Sequence, residues 1–380
     1  MRQFKKIVAV FIAWRILLFI PLFIGSAFIP YRTGYDYTNI WKFVSPYFPV
    51  SSPLLFPWAN FDGVHYLSIA GNGYLDNHGF FPLYPLLIRL FSVFFGGGEA
   101  FDFGYFTSGF LVSNICLVLA LLMFYRLLSL DFSKNKALEA IILLLVFPTS
   151  FFFAGIYTES LFLLLILLSF YFARKKKWFA SSIFGMFASA TKIIGIAILP
   201  ALIYEFVKEE KKLSAKALSL LLPPLGLLSY AFYNFWQFGN PFLFIAAHEN
   251  INPTRSVYSV VFIPQTVFRY IKILATTFGQ YEWWIALLEI SSFIFAAAML
   301  YIAWKKRVRP SYIIFSALAF LVPISSGTFS GLPRYIVVLF PIFISLALVK
   351  NAQLKIIYAV VSVFLLFLLL AFFARGYFIA

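Results

Sequence analysis

The chain has 380 residues, of which 62% are apolar and only 12% are charged, and its formal net charge is +16. An ordinary soluble domain is about half apolar and about a quarter charged, so lipid must be the solvent for most of this chain, which excludes a soluble globular enzyme and a disordered protein. The single cysteine, Cys116, excludes a disulfide framework and a cysteine-built metal cluster.

Apolar stretches of spanning or near-spanning length recur along the whole chain. They run over 7–30, 105–130, 137–156, 158–173, 178–206, 217–235, 282–304, 310–326, 334–349 and 355–374. Because basic clusters flank 178–206 on both sides, we expect two short helices there that are broken near Thr191, Lys192 and Gly195. The sequence therefore predicts an all-α integral membrane protein, a single polytopic domain over 1–380 with about 11 transmembrane helices.

The basic residues fall mostly in segments that this arrangement places on one side of the membrane. Since positive loops face the cytoplasm, we predict a cytoplasmic N-terminus and an extracytoplasmic C-terminus. The excess of positive charge then reflects the orientation of the chain in the membrane, so it no longer indicates nucleic-acid binding. The apolar run after Lys6 is longer than a usual signal core, which favours a retained first helix over a cleaved signal peptide.

Two outer segments, 31–104 and 236–280, are too long to be simple connectors, and long loops in a compact chain are usually functional. Both carry carboxylates, and together they hold every histidine of the chain: His65, His78 and His248.

Part of the first outer segment has the pattern of an amphipathic helix that ends near Gly71 or Gly73. Four polar residues recur there at spacings of three, three and four, which places them on one helical face: Asp62, His65, Ser68 and Asn72. Such a helix would lie in the membrane interface, with its apolar side in lipid and its carboxylate facing the aqueous side. An amphipathic tether with incidental polar residues fits the same pattern equally well.

Downstream, Pro82 and Pro85 prevent an uninterrupted helix between them, so we expect the chain to skim or re-enter the membrane. Tyr84 and Arg89 are candidate contacts for an anionic lipid, although ordinary aromatic packing is favoured for Tyr84.

Charges inside the apolar stretches need an explanation, because a charge at the bilayer centre costs about 2.5–3.5 kcal/mol on insertion scales. Glu159 and Lys192 are candidate substrate contacts. Lys192 is expected to pair with Glu159 or Glu289, or to bind a phosphate, and structural pairing and phosphate binding are weighed as comparable. Arg15 in the first stretch also needs a partner, which the sequence does not identify.

Two motifs of the first outer segment resemble the first outer loop of the GPI mannosyltransferase II (PIG-V) family: Phe-Asp-Gly-Val-His-Tyr at 61–66 and Phe-Pro-Leu-Tyr-Pro at 81–85. Later segments are similar to further family motifs: Pro…Tyr-Thr-Glu-Ser within 147–160, Thr-Lys-Ile-Ile-Gly at 191–195 and Pro-Arg-Tyr at 333–335. The chain departs from the family pattern at Phe61, where Trp is common, at Lys192, where Arg is common, and at 248–252, which lacks the common Gln and Trp.

The resemblance implies a GT-C type glycosyltransferase that transfers mannose, or a related hexose, from a polyprenyl or dolichyl phosphate donor. Asp62, in the outer segment 31–104, matches the family's catalytic base. The segment 236–280 is then expected to serve the acceptor, a lipid-linked or cell-surface hydroxyl, on the extracytoplasmic or lumenal face.

Transfer from a lipid phosphate with inversion requires a base opposite the leaving group, positive charge on the phosphate and exclusion of water. Asp62 can accept the acceptor's proton, and His65, one turn away, can orient that carboxylate or bind a sugar hydroxyl. Arg334 and the adjacent Tyr335 are candidate substrate contacts, because a guanidinium offers phosphate a planar fork of donors. A lone boundary arginine is more often a headgroup anchor, and the motif match favours the substrate role here.

No Gly-rich phosphate loop is present, which argues against direct use of a nucleotide sugar. We expect no cofactor and predict metal independence, since Asp62 and His65 offer only two potential ligands for a divalent ion. The expected partners are the lipid-linked donor, a glycan acceptor and membrane lipid, without nucleic acid.

The alternative function is a transporter or flippase of lipid-linked saccharides. It is less favoured because one broken hairpin and two dissimilar outer segments do not form the paired repeats common in transporters. A non-catalytic scaffold is disfavoured by the charges within the apolar stretches.

Overall fold

The computed structural model describes residues 2–34, 53–210, 215–251, 255–256 and 258–379. Within those ranges every regular element is helical and no strand occurs, which confirms the all-α prediction. Positions 35–52 of the first outer segment, positions 252–254 and 257 of the second, and the side chain of His248 lie outside the described part.

The α-helices are numbered here in chain order. They are α1 Arg2–Leu17, α2 Phe19–Phe28, α3 Asp62–Asn72, α4 Leu83–Ser92, α5 Phe103–Leu128, α6 Lys134–Leu145, α7 Glu159–Arg174, α8 Trp178–Ser189, α9 Ile198–Glu210, α10 Leu222–Phe238, α11 Leu243–Ile251, α12 Ile263–Thr276, α13 Tyr281–Lys305, α14 Pro310–Ile324, α15 Leu332–Ile336, α16 Pro341–Ala347 and α17 Ala352–Ala374. Short 3₁₀ helices lie at Phe56–Ala59, Val93–Phe95, Ser150–Phe153, Ile193–Ala197 and Ala215–Leu221.

Helices that are long and apolar enough to cross a membrane confirm a membrane protein. In the described ranges they number 5: Gln3–Phe28, Phe103–Leu128, Ala215–Phe238, Tyr281–Lys305 and Ala352–Ala374. The prediction of about 11 passes is not confirmed, because several expected spans are shorter or interrupted. The orientation of the chain in the membrane stays a prediction.

Two of the expected spans are not continuous helices, and the reason is the same in both. The stretch 137–156 contains most of α6, which stops at Leu145 ahead of Pro148, and then a 3₁₀ turn. The stretch 334–349 is divided between α15 and α16, and Pro341 begins the second helix. Proline lacks the backbone donor that a continuing helix needs, so these apolar runs fold into short internal helices.

The predicted broken hairpin is confirmed. Helices α8 and α9 are separated by Lys192, whose backbone is extended, and by the turn Ile193–Ala197. A Cβ atom at Gly195 would lie 2.3 Å from the carbonyl oxygen of Ala188, so only glycine permits this close return of the chain. The break carries Lys192 into the protein interior.

Helix α7 forms the centre of the packing, against α5 on one side and α8 on another. Its Phe162 and Phe170 are fully buried and both rings meet Phe315 of α14. Every residue of α16 is buried as well. Because such short helices end inside the protein, polar groups can be brought to a shared interior position.

Candidate active site

The helix predicted from Asp62 is confirmed as α3, which begins at Asp62 and ends before Gly73 at a φ of 79°. Its expected position is wrong in one respect. The apolar residues Val64, Leu67 and Ile69 are buried within the protein rather than presented to lipid. The helix is therefore held by packing, and its polar face is directed by the surrounding helices.

The segment that precedes Asp62 is tied to the chain just before α7. The backbone N–H of Ile156 donates to the carbonyl of Trp58 at 2.7 Å, and the Tyr157 hydroxyl donates to the carbonyl of Asn60 at 2.6 Å. Phe61 adopts a φ of 57°, a conformation that a residue with a Cβ takes at a cost of about 1–3 kcal/mol. These contacts hold the start of α3, and with it the Asp62 carboxylate, in one orientation.

Four charged side chains from separate parts of the chain form a connected cluster, which we call the charge cluster: Asp62, Glu159, Lys192 and Arg334. Arg334 Nη1 donates to Asp62 Oδ2 at 2.6 Å, while its Nε faces Glu159 Oε1 at 3.3 Å as an ion pair without hydrogen-bond geometry. Lys192 Nζ donates to the same Glu159 oxygen at 2.6 Å. The two carboxylates and two cations have no net charge together, and their mutual attraction offsets the free-energy cost of removing the charges from water.

Exposure differs within the charge cluster. The Glu159 side chain is 1% exposed and lies at the centre, whereas the Asp62 side chain is 19% exposed. Arg334 engages Oδ2, and no hydrogen bond to Oδ1 occurs among the described residues. Asp62 is therefore the carboxylate of the cluster that an incoming substrate can reach.

Arg334 is positioned by the segment 147–160. The Thr149 hydroxyl donates to the carbonyl of Pro333 at 2.6 Å, which anchors the short helix α15. The rings of Phe152 and Tyr157 lie 5.6 and 5.5 Å from the guanidinium carbon, within the range of cation–π attraction. One segment thus supplies both Glu159 and the aromatic surroundings of the arginine that Glu159 pairs with.

Lys192 pairs with Glu159, so the structure selects one of the two carboxylates that the sequence left open. Glu289 instead accepts a hydrogen bond from the Tyr270 hydroxyl. The Lys192 ammonium also lies 5.6 Å from the centre of the Tyr335 ring. The Tyr335 ring centre lies 5.8 Å from the Arg334 guanidinium carbon as well, so Tyr335 is close to both cations at the border of the charge cluster.

His65 lies beside the charge cluster without joining it. Its ring stacks on Phe80 with centroids 4.6 Å apart, and no hydrogen bond links it to Asp62 in the described part of the chain. Burial lowers the pKa of the His65 imidazole, and the nearby Asp62 charge opposes that shift. Orientation of the Asp62 carboxylate comes from Arg334, and His65 keeps the sugar-hydroxyl role as a prediction.

Tyr84 and Arg89 do not join the cluster. Tyr84 is fully buried, and its hydroxyl bonds to the Ser113 hydroxyl at 2.6 Å and the Gly109 carbonyl at 3.1 Å. It is therefore a packing residue, and the expected lipid contact is wrong for it. Arg89 is exposed on α4, where contact with a headgroup stays a prediction.

Arg15 has aromatic neighbours instead of a carboxylate. Its guanidinium carbon lies 3.9 Å from the Trp58 ring and 4.9 Å from that of Phe110, and neither Nη atom has a hydrogen-bond partner among the described residues. Cation–π attraction therefore supplies the partner that the sequence could not identify.

A cavity of about 510 Å³ lies next to the charge cluster and had no counterpart in the sequence analysis. Tyr335, Ile193 and Arg255 contribute to its wall. Tyr335 is a candidate substrate contact from the sequence, whereas Arg255 could have been noticed only as a cation of the second outer segment, and the sequence assigns it no role. Across the described ranges no three His, Cys, Asp or Glu side chains are grouped as metal ligands.

Comparison with known proteins gives one family match. A protein-family model described as mannosyltransferase (PIG-V) matches residues 4–303, so Arg334 and Tyr335 lie beyond the matched part. No curated protein sequence matches the chain.

Among solved structures, three crystal structures of the Archaeoglobus fulgidus oligosaccharyltransferase are similar to this chain. The apo form has a TM-score of 0.47 at 11% identity and covers 97% of this chain and 56% of that one. The complex with Zn and sulfate has a TM-score of 0.47 at 12% identity and covers 95% of this chain and 53% of that one. The form tethered to an acceptor peptide has a TM-score of 0.45 at 14% identity and covers 99% of this chain and 56% of that one. The chain thus spans about half the length of these structures.

Proposed function

The chain belongs to the PIG-V family of mannosyltransferases, and from that membership we propose that this membrane glycosyltransferase, of GT-C type, moves mannose or a related hexose from a polyprenyl or dolichyl phosphate donor. The acceptor is a hydroxyl of a lipid-linked or cell-surface glycan. The observation that carries the proposal is the hydrogen bond from Arg334 to Asp62, at the partly exposed edge of a buried charge cluster.

Asp62 is the catalytic base in this mechanism. As the acceptor oxygen forms a bond to the anomeric carbon, the bond from that carbon to the phosphate oxygen breaks on the opposite face, which gives inversion. The acceptor's proton passes to Asp62, and the donor leaves as a polyprenyl phosphate. A correctly placed general base contributes about 10²–10⁴-fold in rate.

Arg334 acts first on the base. Its guanidinium sets the direction of the Asp62 carboxylate, and Glu159 in turn holds the guanidinium. Arg334 and Lys192 also place positive charge in the site, which stabilises the negative charge that develops on the departing phosphate at the face opposite Asp62. The aromatic rings of Phe152, Tyr157 and Tyr335 surround Arg334 and exclude water from this region.

The proposed location of the reaction is the extracytoplasmic or lumenal face, with the N-terminus in the cytoplasm. The segment 31–104 supplies the base through α3, and its remaining candidate contacts are His65 for a sugar hydroxyl and Arg89 for a headgroup. The mechanism needs no metal ion or cofactor.

The test is a transfer assay with purified protein in lipid vesicles. Native membranes are first incubated with labelled polyprenyl phosphate mannose to find which molecule becomes labelled, and that molecule is then supplied to the purified protein. Mass spectrometry should show an acceptor heavier by one hexose. A flippase would move the donor between leaflets without changing the acceptor's mass, and that result would overturn the proposal.

A further inference from the structure

The wall of the cavity next to the charge cluster is mainly apolar, and its polar side chains, besides Arg255, Tyr258 and Tyr335, are four serines: Ser256, Ser259, Ser325 and Ser326. Its apolar side chains come from the turn after Lys192, from the second outer segment and from the end of α14: Ile193, Ile194, Ile245, Val260, Leu321 and Val322. A volume of about 510 Å³ is within the usual range for small-ligand sites. The aliphatic side chains of this wall suit a hydrocarbon chain.

Arg255 is the one charged residue in the described lining of this cavity. Its Nη2 donates to the carbonyl of Ser330 at 2.9 Å, while its Nε has no hydrogen-bond partner in the ranges that the structure describes. No described carboxylate lies within ion-pair distance of it. The contrast with Lys192 and Arg334 is clear, because both of those cations are paired with carboxylates.

Glu289 is the carboxylate with which Arg255 interacts electrostatically, but it does not satisfy the guanidinium. Glu289 receives its hydrogen bond from the Tyr270 hydroxyl, which also contacts Thr328. Arg255 therefore keeps donor capacity for an anion that enters the cavity.

The cavity and the charge cluster share a border at Tyr335. This residue lines the cavity, and its ring centre lies 5.6 Å from Lys192 Nζ and 5.8 Å from the Arg334 guanidinium carbon. Arg255 interacts electrostatically with the same phenol. An anion at this border would lie beside Lys192 and Arg334, whose charges are balanced by carboxylates, and would meet in Arg255 a cation that no described carboxylate pairs with.

We infer that this cavity binds the phosphate and the adjoining isoprenoid segment of the donor, and that Arg255 is its phosphate contact. The inference rests on the proposed function and changes one expectation, since the segment 236–280 then serves the donor through Arg255, Ile245 and Val260. The unpaired cation receives the phosphate, the aliphatic wall receives the chain, and the sugar is left facing Asp62.

Direct binding tests this assignment with two probes: a polyprenyl phosphate and the polyprenol with the same chain but no phosphate. Wild-type protein should bind the phosphate more tightly than the alcohol. Arg255→Met should weaken phosphate binding by about 10-fold to 100-fold and leave alcohol binding unchanged, as expected for loss of a charged hydrogen bond. Lys272→Met, which removes an exposed charge from the same outer segment, should change neither.

Arg255→Lys keeps the charge without the planar fork, so its phosphate affinity should lie between those of wild type and Arg255→Met. Val322 is 48% exposed, and the larger side chain in Val322→Trp should fill the cavity and weaken the binding of both probes. Equal phosphate affinity in wild type and Arg255→Met would overturn the phosphate contact. An equal loss of affinity for both probes in Arg255→Met would also overturn the phosphate contact. Unchanged binding of both probes to Val322→Trp would overturn the isoprenoid site.

Failure of this inference is distinct from failure of the proposed function. If wild-type protein transfers hexose while Arg255→Met binds the phosphate as wild type does, only the inference fails. If the binding results are as expected but wild-type protein never makes a hexose-bearing product, the proposed function fails.

Discussion

Arg334 and Asp62 are 272 positions apart in the sequence, yet Nη1 of the arginine lies 2.6 Å from Oδ2 of the aspartate. Nε of the same guanidinium faces Glu159 at 3.3 Å. A planar guanidinium can direct separate N–H groups to two carboxylates at once, which an ammonium group does less well. This arginine therefore connects the carboxylate at the start of α3 with the buried carboxylate at the start of α7.

Replacing Asp62 with asparagine should reduce kcat for hexose transfer by about 10²–10⁴-fold, because the amide keeps the shape but cannot take the proton. The measurement is product formation by purified, folded protein with a polyprenyl phosphate mannose donor. Asp76→Asn is the matched control, since Asp76 is exposed in the same outer segment and should retain activity. Undiminished turnover in Asp62→Asn would contradict the proposed base.

Replacing Arg334 with methionine should destabilise the protein by about 3–5 kcal/mol, because Asp62 and Glu159 lose their shared partner in a largely buried setting. Unfolding in detergent by heat or denaturant measures this change. Arg126→Met removes an exposed arginine from the end of α5 and should have little effect. Equal stability of the two variants would show that the charge cluster does not hold the fold together.

Arg334→Lys separates the structural part of this role from the geometric part. The charge is kept, so less stability should be lost than in Arg334→Met. Transfer activity should still fall, because a lysine cannot direct separate donors at Asp62 and Glu159. Full activity in Arg334→Lys would mean that positive charge alone is required at this position.

Glu159→Gln should cost more stability than Lys192→Met. The first leaves Lys192 and Arg334 facing an uncharged amide, whereas the second leaves Glu159 with Arg334 as a partner. The double variant should be less destabilised than the sum of the two, with a coupling of about 0.5–3 kcal/mol in a double-mutant cycle. Additive losses would mean that the pair makes no net contribution.

The stability of the protein should depend on pH through His65. Burial lowers the pKa of its imidazole in the folded state, so the unfolded chain binds a proton first as the pH falls. Stability should therefore decrease from about pH 7 to about pH 5, and His65→Gln should lose less stability over that interval. Unfolding of both proteins across this range checks the sign. A variant that loses stability as steeply as wild type would contradict it.

Local features were accessible from the sequence because their causes are local. The helix from Asp62 follows from polar spacing and from a glycine that can adopt the positive φ at its end. The break at Lys192 follows from a charge and a glycine within one apolar run. The interruption of 334–349 was missed although Pro341 lies within it, since mean apolar content carries no information about where a backbone hydrogen bond is lost.

The surroundings of apolar residues were the main source of error. Val64 and Leu67 of α3 were expected to face lipid, and Tyr84 was a candidate lipid contact, but all three lie inside the protein. Lipid and a protein interior are both apolar, so a hydropathy pattern predicts burial in either without distinguishing them.

The sequence by itself determined that the chain is a helical membrane protein, and its motifs indicated the family and named Asp62, Glu159, Lys192 and Arg334 as functional candidates. Only the tertiary structure decided which charges meet: Arg334 with both carboxylates, and Lys192 with Glu159 rather than Glu289. It also placed Arg255 in the wall of a mainly apolar cavity, with no carboxylate partner among the described residues. The physical reason is that an ion pair depends on a distance of a few ångströms and on exclusion of water, and both arise only when the helices pack.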